Sequence, residues 1–335
     1  MTKKLFIVCA ALVWTVALVA QNIAVVSPEG ETSLYKTLKE AINGATPESV
    51  IYLPGGVFEG NDTITKKLTI FGIGHKGNTD NTDGITYISG SLYFYPGSDG
   101  SALMGCYVTN AVIIGSCKRV GSGYDYESTG DVNNILIRYN RMSYLSFGCK
   151  SSGTVVNQNF VSESIAAPYL YKDSHLASIT NNVVGYINFI NDSNISNNIA
   201  FAPNPYYGHL YHCLRSGRRN NIVMGTLATY NDGGYISDNM TTSEYGENCI
   251  NVSGEDFDWT NVFVKYDKSN PLNSDFHFKG DYTQYNGQVG IYAGDGFSDK
   301  QLAPVPYIVA KHVDEQTDAQ GKLSIKVRVK AGDSE

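Results

Sequence analysis

Charged side chains are scarce in this 335-residue sequence, at 17% of all residues, and the 25 basic ones are outnumbered by 32 acidic ones. The formal net charge is −7, and removal of residues 1–20, which carry Lys3 and Lys4 but no acid, would take it from −7 to −9. Proteins that bind phosphate backbones need a basic surface. The sequence therefore argues against nucleic acid as a partner.

Long apolar runs are missing after residue 20. The stretch LFIVCAALVWTVALVA is about 16 residues long, shorter than the ~20 that a transmembrane helix needs, and it follows the basic residues of MTKK. This pattern predicts a signal peptide over residues 1–20, with cleavage after Ala20. We expect no membrane span after its removal, and a location that is secreted, periplasmic or on the cell surface.

The sequence also lacks the cysteine spacings of zinc sites and disulfide frameworks. The five cysteines after residue 20 are widely spaced: Cys106, Cys117, Cys149, Cys213 and Cys249. We expect buried free thiols, with a Cys106–Cys117 bridge as the alternative.

What the sequence does contain is an internal repeat, together with 34 glycines and 24 tyrosines that favour turns and strands. An apolar residue is followed three positions later by asparagine and, two positions after that, usually by another apolar residue. The asparagines of this motif are Asn110, Asn140, Asn159, Asn182, Asn198 and Asn239. Their separations are 30, 19, 23, 16 and 41 residues, so the motif is constant while the loops between copies vary. The repeat predicts short parallel strands stacked as a coil.

The asparagine of each copy is expected at the bend after a strand. There its amide donates to one coil and accepts from the next, which forms a ladder. In the longest gap we expect a degenerate copy at Ile222, with Gly225 replacing asparagine, because both residues tolerate a left-handed backbone. Asn239 is assigned to the ladder, although NMT fits a glycosylation sequon.

Both ends of the expected coil carry their own elements. SLYKTLKEAING predicts a capping helix with Thr32 or Ser33 as N-cap and Gly44 as its stop. Its apolar face consists of Leu34, Leu38, Ala41 and Ile42. Near the C-terminus, PYIVAKHV, the turn DAQG and the alternating KLSIKVRVKA predict a hairpin. We expect it to lean on the coil or to cover its far end.

This helix, the following VIYLPGGVFE and ITKKLTIFGIG, and the asparagine ladder together resemble the right-handed parallel β-helix proteins of the pectin lyase-like superfamily. SDFHFKGDYTQYNGQVGIYAGDG, residues 274–296, resembles the closing coil of secreted β-helix proteins from Bacteroidetes-type bacteria. The resemblance implies an all-β chain. Its expected parts are a signal peptide (1–20), a right-handed parallel β-helix, or solenoid, with its N-terminal capping helix (21–303), and a C-terminal strand or hairpin extension (304–335).

Enzymes of this superfamily act on acidic polysaccharides in a groove on the outer face of the helix, which requires acids or cations in an outward row. The outward row of this chain lacks carboxylates: Arg138, Asn157, Thr180, Ser196 and Ser237. The polygalacturonase signatures are also absent as a set. His75, between glycines in GIGHKG, is assigned to an N-terminal coil.

A basic and aromatic loop, PNPYYGHLYHCLRSGRRNN, is the strongest candidate for a ligand site. The predicted ligand-binding residues are Tyr206, Tyr207, His209, Tyr211, Arg215, Arg218 and Arg219. Aromatic rings stack on sugars and arginine pairs with uronate, while histidine transfers protons. His209, His212 and Arg215 are the weak candidates for catalysis. The alternative is an ordinary loop that packs on the coil.

Two acidic clusters offer oxygen ligands for Ca²⁺, the one cofactor that the sequence suggests. They comprise Asp125, Glu127 and Asp131, and Glu255, Asp256 and Asp258. Solvated acidic loops are the commoner explanation of such clusters, and neither has the spacing of an EF-hand. Asp275, His277 and Lys279 of DFHFKGD are assigned to the structural pattern of the closing coil.

We therefore expect a secreted β-helix protein that binds a glycan or another extracellular polymer, or is a surface component, without an evident active site. One alternative is a polysaccharide lyase or glycoside hydrolase that uses the loop with Arg138 or Arg141. A second alternative is an adhesin-like module that binds a protein partner through its flat sheets.

Overall fold

The computed structural model describes most of the chain after residue 21. The described ranges are 22–76, 84–120, 125–148, 150–168, 174–202, 208–225, 233–242, 246–253, 257–302, 306–313, 316, 320–322 and 324–330. The predicted signal peptide lies outside them.

Short strands dominate the described residues. In chain order they are β1 (Ile23–Val26), β2 (Thr32–Tyr35), β3 (Val50–Tyr52), β4 (Gly56–Glu59), β5 (Asp62–Ile64), β6 (Thr69–Phe71), β7 (Thr86–Ser89), β8 (Leu92–Phe94), β9 (Ala102–Met104), β10 (Tyr107–Ile114), β11 (Ser116–Val120), β12 (Asp125–Gly130), β13 (Leu136–Arg138), β14 (Arg141–Phe147), β15 (Val155–Asn157), β16 (Phe160–Ala166), β17 (Ser178–Thr180), β18 (Val183–Asn188), β19 (Asn194–Ser196), β20 (Ile199–Ala200), β21 (Leu210–Tyr211), β22 (Gly217–Arg219), β23 (Ile222–Val223), β24 (Ile236–Ser237), β25 (Met240–Thr241), β26 (Ile250–Asn251), β27 (Phe263–Lys265), β28 (Asp275–Phe278), β29 (Tyr307–Val313) and β30 (Ile325–Lys330). The helix α1 spans Leu38–Gly44, and 3₁₀ turns span Trp259–Asn261, Pro271–Asn273 and Gly280–Tyr285.

Successive coils contribute strands alternately to two long parallel sheets. Sheet 1 runs in the order β2-β1-β3-β6-β9-β13-β15-β17-β19-β22-β24, and sheet 2 runs from β4 through β7, β10, β14, β16, β18, β20, β23 and β25 to β26. From β3 onward the pairs of sheet 1 are parallel, and the residues of neighbouring rungs stay in register. Only a stacked coil brings strands so close in sequence into parallel pairing. The all-β parallel β-helix predicted from the repeat is confirmed.

The N-terminal cap differs in detail from the prediction. Residues 32–35 form a strand that pairs antiparallel with β1, so Leu34 lies there with 62% of its surface exposed. The helix begins later because Thr37 is its N-cap: the Thr37 hydroxyl accepts from the Glu40 amide at 3.2 Å, and the Glu40 carboxylate accepts from the Thr37 amide at 3.2 Å. The assignment of Thr32 or Ser33 as N-cap is therefore wrong. Leu38, Ala41 and Ile42 are buried, as a covering helix requires.

An asparagine column follows one corner of the coil, at the turn that leaves sheet 1. From Asn140 to Asn198, each Nδ2 donates to the Oδ1 of the next asparagine and to carbonyls of its own and of the preceding rung, at 2.8–3.2 Å. Asn221 Nδ2 donates to Asn239 Oδ1 and to the Ile195 carbonyl, and Asn239 Nδ2 donates to the Arg218 carbonyl. The column consists of Asn140, Asn159, Asn182, Asn198, Asn221 and Asn239, all fully buried. Cys106 begins it, since its amide donates to Asn140 Oδ1 at 3.0 Å. Cys249 comes after Asn239 in the column. Burial raises the pKa of its thiol, and hydrogen bonds with Asn239 offset only part of this rise.

Two assignments to the ladder are wrong. Asn110 is exposed in β10 and donates to the Ser91 hydroxyl at 3.0 Å, because the equivalent corner position of its coil is occupied by Cys106. The degenerate copy in the long gap uses Asn221 and not Gly225, and it was hidden because Arg218 stands at the usual apolar position. The left-handed residue of each copy precedes the ladder asparagine: Tyr139, Gln158, Asn181, Asn197, Asn220 and Asp238 have φ between 54° and 58°.

The chain closes by folding back over the coil. Trp259, Phe263, Phe276 and Ile291 pack on the outer face of sheet 2, against Val183, Ile199, Ile222 and Met240. Residues 287–301, here called the strap, then cross the ladder corner and run towards the N-terminal coils. They contact Asn220 first, then Asn181, then Gln158 and finally His75.

The C-terminal hairpin pairs β29 with β30 antiparallel. Ile325, Val327 and Val329 of β30 are each at least half exposed, so this strand does not lean on the coil through its apolar side as we expected. No helix within the described ranges is long and apolar enough to cross a membrane.

Candidate functional site

A polar groove lies on the outer face of sheet 1. Its floor includes the outward row that follows the interior residue of each rung: Arg138, Asn157, Thr180, Ser196, Arg219 and Ser237. The strands hold these residues in register from β13 to β24, one residue per rung. Parallel rungs are ~4.8 Å apart, so the row extends over about 24 Å.

The strap forms one wall of the groove. Asn181 Nδ2 donates to the carbonyls of Ile291 and Ala293 at 2.8 and 2.7 Å, and Asn220 Nδ2 donates to that of Gln288 at 2.7 Å. The Gly290 amide in turn donates to the Asn220 carbonyl at 2.8 Å. The left-handed turn residues of the ladder corner therefore hold the wall in place.

Close packing explains a glycine in this wall. Gly294 has a φ of 62°, and a Cβ there would collide with the Asn197 amide. An L side chain would thus meet both backbone strain and a steric clash. The strap consequently runs directly over the turn, and the groove stays open above the strands.

The groove has two connected parts. One part of about 710 Å³ extends from the rung of Arg138 to that of Ser196, and the other, about 370 Å³, extends from Ser196 to Ser237. Ser196, Asn197 and Gly294 line both parts. Together the two parts follow the row over six rungs, a length that suits an extended ligand.

Hydroxyl groups in the floor are oriented by neighbouring amides. The Thr180 hydroxyl accepts from Asn157 Nδ2 at 2.9 Å, and the Ser196 hydroxyl accepts from Asn194 Nδ2 at 3.2 Å. Each hydroxyl can then direct its own hydrogen into the groove. The floor thus presents ordered donors and acceptors, with Leu136 and Val155 lining the groove beside them.

The charges of the groove are few and lie at defined places. Arg138 lies at one end of the floor, with its guanidinium 4.5 Å from the centroid of the Tyr139 ring, and Arg219 lies four rungs further along. Asp295 of the strap lines the first part, and Asp238 lines the second.

The basic and aromatic loop does not form one exposed site. Tyr206 and Tyr207 lie outside the described residues. His209 and Tyr211 are buried, and Tyr211 belongs to β21, which pairs with β18. Arg218 is fully buried inside the coil, in register with Ile195 and Ile236. The assignment of His209, Tyr211 and Arg218 to an exposed binding site is therefore wrong.

The remaining residues of that loop have separate roles. His212 stacks on the Phe189 ring, with 5.8 Å between the ring centroids. Arg215 makes a bidentate ion pair with Asp192, with both distances at 2.6 Å, and this hydrogen-bonded pair lowers the pKa of Asp192. Of the predicted ligand-binding residues that the structure describes, only Arg219 lines the groove.

The other sequence candidates lie apart from the groove. His75 is buried beside the end of the strap, where Nε2 lies 3.2 Å from Gln301 Oε1, and burial lowers its pKa to about 4. Asp275 contacts His277 Nδ1 at 2.6 Å, and the His277 ring stacks on Tyr292, while Phe276 and Phe278 are buried. This arrangement fits the structural assignment of the closing coil.

The acidic clusters and cysteines can be placed only in part. Lys118 pairs with Glu127 at 3.8 Å across the β11–β12 hairpin, and Asp131 accepts from Ser128. Asp258 caps a 3₁₀ turn, and Glu255 and Asp256 lie outside the described residues. Across the described ranges, no three His, Cys, Asp or Glu side chains are grouped so that they could hold a metal ion.

The described cysteines are free thiols: Cys106, Cys117, Cys213 and Cys249. The Cys106–Cys117 bridge is therefore not formed, and Cys149 lies outside the described residues.

No protein-family model, curated protein or solved structure matches this chain. The function of the chain is therefore inferred from its sequence and from the groove.

Sequence reasoning identified most of the groove floor but missed its wall and Arg219's place in the row. The spacing from Asn198 to Asn221, 23 residues, falls within the range of the other copies and could have revealed that rung. The strap carries no such signal, because its partners are remote in sequence.

Proposed function

We propose that this protein is a secreted glycan-binding protein of the pectin lyase-like β-helix type, and that a polysaccharide chain lies in the groove of sheet 1. The main support is the floor, where polar side chains of six consecutive rungs line the groove in register, with Asn157 and Ser237 themselves buried and the other four accessible. Sugar hydroxyls need such repeated donors and acceptors. An extended pyranose chain advances per sugar by a distance similar to the rung spacing.

Secretion is supported by the sequence pattern of residues 1–20, and the superfamily assignment by the ladder and the capping helix. A binding role is favoured over catalysis because the outward row, with Arg219 added, still lacks a carboxylate. The strap gives this face of sheet 1 a wall and makes it a groove, unlike the flat face that an adhesin would present.

Affinity electrophoresis through gels that contain single polysaccharides tests the proposal. We expect at least one polysaccharide to retard the protein, and the Ser196→Trp variant to lose this retardation because the indole fills the middle of the groove. Ser162→Trp, an exposed serine of sheet 2, is the matched control and should bind as the unmodified protein does. Full binding by Ser196→Trp, or no retardation by any polysaccharide, would overturn the proposal.

The same samples should be assayed for new reducing ends and for the absorbance of unsaturated uronates. A binding protein leaves the polysaccharide intact. Product formation that is lost in Ser196→Trp would replace the binding role with a lyase or hydrolase activity at this groove.

A further inference from the structure

The two arginines of the groove floor are separated by neutral side chains. Between Arg138 and Arg219 the row consists of Asn157, Thr180 and Ser196, in unbroken register. Four rung intervals of ~4.8 Å place the two rungs about 19 Å apart. Among the described residues that line the groove, a ligand would therefore meet a cation only at its first and fifth sugars.

The strap adds negative charge beside the neutral part. Asp295 lines the same part of the groove as Asn157 and Thr180, and Asp238 lies beyond Arg219 with Ser237. A ligand with a carboxylate on every sugar would bring several anions near these acids without a compensating cation. This arrangement disfavours a continuous polyanion.

Arg219 is suited to receive an anionic group. Its side chain is exposed, and no carboxylate of the described residues forms an ion pair with it. Arg138, at the other end, lies along the Tyr139 ring, which fixes the orientation of its guanidinium. Guanidinium groups bind carboxylates and sulfates in a bidentate manner, so each arginine can read one charged sugar.

We infer that the groove selects a sparsely charged glycan, in which anionic sugars recur at every fourth residue and neutral sugars lie between them. This inference rests on the proposed glycan binding and specifies the class of ligand. It requires the chain to lie along the axis of the coil, across the strands of sheet 1.

Isothermal titration with three forms of one β-1,4-linked pyranose hexasaccharide tests the inference. The forms are neutral, carboxylated on the first and fifth sugars only, and carboxylated on every sugar. We expect the sparsely charged form to bind most tightly and the fully charged form most weakly. Arg138→Gln and Arg219→Gln should each weaken binding of the sparsely charged form about tenfold. Because the sites are far apart, the double variant should lose about a hundredfold.

Two controls keep the outcomes distinct. Arg141→Gln removes an arginine that lies over Tyr107 on sheet 2, outside the groove, and should leave all three affinities unchanged. The neutral form should bind both groove variants as it binds the unmodified protein. The inferred spacing of anionic sugars would be wrong if the fully charged form bound most tightly. It would also be wrong if the two arginine variants bound the neutral form as weakly as they bind the sparsely charged form. In both cases the protein would still bind a glycan. Failure of all three forms to bind would overturn the inferred class of ligand, whereas glycan binding itself is overturned only when no polysaccharide retards the protein.

Discussion

At the corner that carries the ladder, the turn of each rung contains two adjacent residues with different structural roles. The first, such as Asn181, adopts the left-handed backbone and points its amide at the strap. The second, such as Asn182, keeps an ordinary backbone and bonds to the rungs on either side. Asparagine suits both positions, because it tolerates a positive φ and has both a donor and an acceptor.

Replacement of a ladder asparagine should weaken the fold strongly. Asn198 Nδ2 donates to three oxygens, and its Oδ1 accepts from the amide and side chain of Asn182. We expect Asn198→Leu to lower the free energy of unfolding by about 2–4 kcal/mol, because buried partners are left without hydrogen bonds. Denaturant unfolding measures this. Asn110→Leu, outside the column, should cost less than about 1 kcal/mol, and equal losses for both would contradict the ladder.

Buried histidines should make stability depend on pH. Burial lowers the pKa values of His75 and His175 to about 4, from an unfolded value near 6.5. Between these values the unfolded chain binds protons that the folded chain does not, so stability present at pH 7 is lost as the pH falls. From pH 7 to pH 5 each histidine should cost about 2 kcal/mol.

The variant His75→Gln isolates one of these contributions. Its free energy of unfolding should fall by about 2 kcal/mol less over this pH range than that of the unmodified protein. Ser162→Gln, a change at an exposed residue that does not titrate, is the control and should keep the full dependence. An unaltered pH dependence in His75→Gln would show that this histidine titrates normally in the folded state.

At the scale of elements, the strap links two surfaces of the coil. Its preceding segment covers the apolar outer face of sheet 2, and its own residues wall the groove on sheet 1. The hydrogen bonds that hold it come from turn residues and not from strands, so it can be loosened without breaking the stacked sheets.

Asn181→Gly combined with Asn220→Gly should release the strap, because glycine keeps the left-handed backbone and removes the side-chain amide. Three side-chain hydrogen bonds to the carbonyls of residues 288, 291 and 293 are lost. At about 1 kcal/mol each, local opening should increase at least about tenfold, measured by amide hydrogen exchange over 287–301. Exchange in β13–β22 should not change. Asn194→Ala, a floor residue without a hydrogen bond to the described residues of the strap, is the control. Equally fast exchange over 287–301 in this variant would show that Asn181 and Asn220 do not hold the strap.

At the scale of the whole molecule, the described strands of the C-terminal hairpin form a sheet of their own, and β30 is exposed along its length. Removal of residues 306–335 should therefore shift the melting temperature of the remaining chain by less than about 2 °C. Differential scanning calorimetry measures the shift. A drop of about 5 °C or more would instead support the original expectation that the hairpin leans on the coil.

The sequence by itself determined the coil, because the signals for it are local. An apolar residue and a corner asparagine recur within each rung, and stacking is the only way for such short strands to bury their apolar side. The copy at Asn221 escaped detection for the same reason: Arg218 breaks the local pattern, although tertiary packing buries its side chain among the rungs.

Only the tertiary structure decided where the groove lies and what faces it. Adjacent residues of one strand point to opposite sides, so a shift of one position separates the buried Arg218 from the groove residue Arg219. The wall depends on bonds between residues 110 and 112 positions apart, from Asn181 to Ile291 and Ala293. Contacts over such separations leave no periodic trace in the chain, because they arise only after the coil has formed.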